Sequence, residues 1–106
     1  TVLHFAAKNG RHDVVHLLLE HGADIEARND SKATPLHAAA SAGHTKTVDP
    51  LLQRGAAMEA TNIRGQTPLS LASQYGRLRT VRLLLERGAN VEACDLKGLT
   101  PLHASL

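Results

Sequence analysis

Four copies of one short stretch, Thr1-Val2-Leu3-His4, Thr34-Pro35-Leu36-His37, Thr67-Pro68-Leu69-Ser70 and Thr100-Pro101-Leu102-His103, stand 33 residues apart. A chain with that period is one structural unit written three times and begun a fourth, with units at 1–33, 34–66, 67–99 and 100–106. No such unit buries its apolar face alone, so residues 1–106 are expected to fold as a single cooperative domain. The tetrapeptide reads as a helix start. Threonine offers an oxygen to the free N–H groups of a first turn, and proline at the next position gives up only an N–H that has no helical partner. The leucine then falls on the buried stripe. The histidine lies where an imidazole can bond both the capping hydroxyl and a backbone carbonyl of the neighbouring unit.

Each unit continues with an alanine pair and a glycine, then an apolar run such as Val14-Val15-His16-Leu17-Leu18-Leu19, then Gly22-Ala23-Asp24 in the first copy. With Thr-Pro-Leu-His, Gly-His and Gly-Ala-Asp in phase, the chain resembles the ankyrin repeat over essentially all 106 residues. The resemblance implies an all-α repeat solenoid: helix, turn, antiparallel helix and a projecting β-hairpin loop per unit, stacked into a curved array that binds other proteins. Asn29 stands where that family usually has aspartate. Many members carry an asparagine, a candidate for hydroxylation, in the column that here reads Glu26, Glu59 and Glu92, so that modification is not expected.

Composition sets limits on function. One Phe, one Tyr and no Trp leave a core of Leu, Val and Ala. Twelve basic against ten acidic residues is too even a balance to argue for nucleic acid. No apolar run reaches the roughly 18 residues of a membrane span, so no membrane partner is expected. A lone Cys94 has no partner for an internal disulfide and favours a reducing compartment, cytoplasmic or nuclear. It is read as an exposed, unreactive thiol. The chain opens on a motif and is expected to be monomeric or part of a longer array.

Departures from the repeat carry their own expectations. The segment His12 to Glu20 predicts a second helix with Val14, Val15, Leu17, Leu18 and Leu19 on one broad apolar stripe. Lys32 stands where the other units have Gly65 and Gly98; either the backbone there is left-handed, at a cost to lysine on the order of 1 kcal/mol, or the turn adopts another type. Pro50 falls in the column of Leu17 and Leu83, mid-helix, where proline costs roughly 3 kcal/mol. A helix beginning late, near Thr47, or kinking avoids that cost. Ser70, replacing the motif histidine, predicts a weaker junction with the following unit. Neither end shows a polar cap, so both ends are candidate contacts.

Chemical constellations are sparse. His12 and His16 have the spacing of a zinc pair. Alignment of His12 with His44 and Arg77, and of His16 with Asp49 and Arg82, gives no repeated ligand set, and no third ligand is evident. No metal or cofactor is expected. Neither a triad, a phosphate loop nor a carboxylate pair occurs, which argues against an enzyme. Arg77, Arg79, Arg82 and Arg87 read as a solvated outer face with an Arg82–Glu86 pair.

What remains is a protein-interaction module. The alternative is a structural spacer or a self-associating array. Columns that vary without a packing reason are where recognition can be written: Lys8, Arg28, Lys32, Ile63, Arg64, Gln66, Gln74, Tyr75, Leu96, Lys97 and Leu99. Their basic excess predicts a partner segment with acidic residues. Ile63, Leu96 and Leu99 either pack hairpin on hairpin or join an interface rimmed by Arg64 and Lys97.

Overall fold

The computed structural model describes residues 1–90. Its six helices are α1 (Val2–Lys8), α2 (His12–Glu20), α3 (Pro35–Ala42), α4 (Thr45–Gln53), α5 (Pro68–Gln74) and α6 (Leu78–Glu86). They form two layers. The inner helices pack α1 on α3 on α5 and the outer helices α2 on α4 on α6, while each inner helix also packs on the outer helix that follows it.

Local chemistry starts the inner helices as the motif predicts. Thr1, Thr34 and Thr67 accept from the backbone N–H three residues on, at 3.2, 3.3 and 3.2 Å. At α3 the box closes both ways, because the Thr34 N–H donates to Nδ1 of His37 at 3.1 Å. That N–H can only donate, so Nδ1 is the acceptor and Nε2 carries the ring proton. Nε2 then donates to the carbonyl of Gln66 at 2.9 Å, and the matching nitrogen of His4 reaches the carbonyl of Ala33 at 2.6 Å. The motif histidines therefore tie each unit to the connecting loop at its end. For Ser70 the described bond stays inside the cap, to Thr67 Oγ1 at 3.1 Å; its junction with the following unit lies outside the described residues.

Small aliphatic side chains make the core. Leu36, Leu51, Leu69 and Leu84 are fully buried, in one cluster with Val15 and Val48 and the equally buried Ala39, Ala40 and Ala72. Gly43 ends α3 with φ +75°, and a Cβ there would come within 2.7 Å of Arg77 Cδ. The absence of that carbon lets the Arg77 side chain lie across the turn and donate from Nε to the Ser41 carbonyl at 3.0 Å.

Four expectations change. First, α4 begins at Thr45 in step with His12 and Leu78, not near Thr47, and carries Pro50 inside it as one continuous helix. A later start would unwind the turn that seats Val48, and that side chain and Leu51 are fully buried. Burial contributes about 1.5 to 3 kcal/mol for each such side chain, which together outweigh the proline penalty of about 3 kcal/mol. Second, these helix starts put Arg11, not His12, in the column of His44 and Arg77. Third, the stripe of α2 is narrower than expected. Val15 and Leu19 are buried, but Val14 and Leu17 are exposed, as are Val2 and Phe5 on α1. The same columns in the next units hold the buried Thr47, Pro50 and Pro35, each covered by the unit before it.

Fourth, the loops after α2 and α4 are hairpin-shaped but carry no strand among the described residues. Each is closed by an asparagine: Asn29 Oδ1 accepts from the N–H groups of Ser31 and Ala33, and Asn62 Oδ1 from those of Arg64 and Gln66. Lys32 does adopt φ +57°, the left-handed value found at Gly65 in the next loop.

Candidate functional site

The recognition surface expected from sequence divides three ways. Lys8, Lys32, Ile63, Arg64, Gln74 and Tyr75 are exposed, with Ile63 at 65% and Tyr75 at 55%. Leu96, Lys97 and Leu99 lie outside the described residues, as do Cys94, Glu92 and His103. Gln66 is a correction, being 8% exposed and therefore unavailable to a partner. It faces inward because its carbonyl accepts from His37 and from the N–H of Asn62 at 3.0 Å, which pins the residue beneath the loop. Its carboxamide is also engaged, accepting from Asn62 Nδ2 at 3.2 Å and donating to Gln74 Oε1 at 2.8 Å.

Arg28 has two duties. Although exposed, its guanidinium donates to the carbonyl of Thr61 at 3.0 Å in the next loop, and at the 3.4 Å limit to that of Lys32. It is a brace between loops as much as a surface charge.

Neighbouring loop tips are joined directly. The N–H of Ile63 donates to the carbonyl of Ser31 at 2.8 Å. That bond sets the apolar Ile63 beside the first tip, with Lys32 one residue along one loop and Arg64 one residue along the other. Asp30 is the one acidic side chain within residues 29–32 and 62–65. The exposed end of the α5 turn contributes Gln74 and Tyr75, the latter as the C-cap residue.

Two features escaped sequence reasoning. Glu26 accepts from the Ala57 N–H and Glu59 from the Asn90 N–H, both at 2.9 Å, so this glutamate column staples each unit to the next. Its recurrence at one phase was the available signal. On the outer layer, the expected Arg82–Glu86 pair is absent among the described residues, and Arg87 instead pairs with Asp49 of the preceding unit. His12 contacts its neighbour Asp13 at 3.1 Å, and among the described residues no three His, Cys, Asp or Glu side chains come together as a metal group would require. No described helix is long and apolar enough to cross a membrane.

Burial places the His37 pKa below its ordinary 6.5, with Arg28 lowering it further and the Gln66 carbonyl opposing the shift. A folded-state value below the unfolded one means the unfolded chain binds more protons as the medium acidifies. The stabilising share of His37 is thus complete above the ordinary value and lost as pH falls through the lowered one. Melting temperature is expected to hold level above about pH 7 and to fall on acidification. The measurement is the difference in slope between parent and His37→Gln, with the variant shallower. Equal slopes would show that the buried ring does not drive the loss.

Comparison with known proteins agrees with this architecture. The family model described as ankyrin repeats (3 copies) matches residues 1–62, and that described as ankyrin repeats (many copies) matches residues 51–103. No curated protein matches the chain. Matches over more than half its length, together with paired helices recurring at one period, place the chain in the ankyrin repeat family, whose repeats are in general protein-interaction modules.

Proposed function

We propose that the two joined loop tips and the exposed end of α5 hold a segment of another protein that carries acidic residues. The observation that carries this reading is the Ser31–Ile63 backbone bond, which assembles an exposed apolar group flanked by Lys32 and Arg64. An aliphatic and an aromatic side chain within a cationic rim is the composition of an interface centre. The near absence of carboxylates there selects against a basic partner. Catalysis has no place in this reading, and the single cysteine suits action in the cytoplasm or nucleus.

Binding of a selected peptide ligand is expected to weaken by about 1 to 2 kcal/mol in Tyr75→Ala and in Arg64→Glu, with melting unchanged. Arg79→Ala and Arg82→Ala, on the outer layer, serve as controls. Loss of binding in the controls but not in the first pair would move the site to the outer face. The alternative outcome is self-association. Sedimentation velocity over a concentration series separates the two, because only self-association shifts the distribution without a ligand.

A further inference from the structure

The buried Gln66 sits in a chain of side-chain amides whose polarity can be worked out from one fixed end. The N–H groups of Arg64 and Gln66 can only donate, and both point at one atom of Asn62, at 2.9 and 3.0 Å. That atom must be Oδ1. Nδ2 of Asn62 is then a donor, and the Gln66 atom 3.2 Å from it must be the acceptor Oε1. Nε2 of Gln66 is left to donate, and the Gln74 atom it meets at 2.8 Å must be Oε1. The oxygen of Gln74 is therefore turned toward the protein. Its Nε2, with two N–H groups, takes no part in that contact, and Gln74 is an exposed residue next to Tyr75 at the end of α5.

The relay has no counterpart in the preceding unit. There Asn29 makes the same turn, but the positions equivalent to Gln66 and Gln74 are Ala33 and Ser41. Ser41 satisfies its own hydroxyl on the carbonyl of Ala38 at 3.1 Å.

We propose that Gln66 is a positioning residue for recognition: it orients the Gln74 carboxamide so that the binding face offers amide donors to carboxylate or carbonyl groups of the partner. This rests on the binding face proposed above and names what that face selects for. Glutamine alone could present either end of its amide. Held this way, it adds donors beside those of Arg64 and Lys32, and a partner offering donors of its own finds no acceptor at this position.

The test uses the whole 106-residue chain, with side-chain amides followed by NMR and N-acetylated, C-amidated tetraglutamate as the probe. In the free protein the Gln66 Nε2 protons are expected to exchange with water at least about tenfold more slowly than those of Gln74. Gln66→Glu reverses the local polarity, since a carboxylate only accepts. Gln74 must then turn its Nε2 inward, and its protons become the protected ones, a change that a purely structural residue would not produce. Gln66→Leu, which is uncharged, is expected to lower affinity for tetraglutamate about threefold, the equivalent of one hydrogen bond held in place. Should tetraglutamate shift Arg64 and Tyr75 but leave the Gln74 amide unmoved, the orientation inference is wrong and the face stands. Should it shift none of them, both fall. Equal exchange at Gln66 and Gln74 in the free chain overturns the relay whatever the probe does.

Discussion

Leu51→Ala should destabilise the domain by about 3 kcal/mol, within the 2 to 5 kcal/mol range of large-to-small core changes. Leu51 is fully buried on α4, and α4 packs on α2, α3 and α6. The hole would open in the middle unit, where the units before and after meet it, so neither can relax into the space without leaving the other. In a stacked array stability is the sum of units and their interfaces, and damage at the centre weakens two interfaces at once. Urea denaturation measures the effect. Leu17→Ala, at the outer edge of α2 and 55% exposed, is the comparison and should cost well under about 1 kcal/mol. If the two variants unfold at the same urea concentration, burial between units is not what holds the array together.

Pro50→Leu should act in the opposite direction, raising stability by about 2 kcal/mol. Proline at the sixth position of α4 removes the bond to the carbonyl of Lys46 and crowds the preceding turn, a penalty of about 3 kcal/mol in a helix interior. Some of that is already offset, because Lys46 is exposed and its carbonyl can turn to water. Leucine occupies the same column at Leu17 and Leu83, so the side chain suits the position and the missing donor returns. The urea midpoint should rise with an unchanged slope. A fall in midpoint would mean that the buried pocket around Pro50 is shaped to the pyrrolidine ring and that leucine overpacks it.

These two neighbours show where reading a sequence stops. That Leu51 belongs to the core follows from its phase within the repeat. That Pro50 stays inside the helix does not, because it depends on whether Val48 and Leu51 gain more by docking than the proline loses. The conflict is decided by contacts with other units, and the proline alone points to a late start. Gln66 makes the same point for the binding face. Its column varies between units as a recognition position should, yet it is turned inward by His37, which lies 29 residues earlier in the chain. Ile63, Arg64, Gln74 and Tyr75, from the same reasoning, do reach the surface.

The period and the capped starts of α1, α3 and α5 were written in the sequence, as was a second bond for the motif histidine, although that bond closes the loop of its own unit and not the neighbouring one. Caps and backbone preferences act over three or four residues, and a repeat displays each of them more than once. The start of α4, the exposure of Val14, Leu17 and Phe5, the inward turn of Gln66 and the pairing of Arg87 with Asp49 were decided only by the tertiary structure. In each case the outcome depends on which surface another unit covers and which it leaves open, and that is a property of the stack rather than of any unit within it.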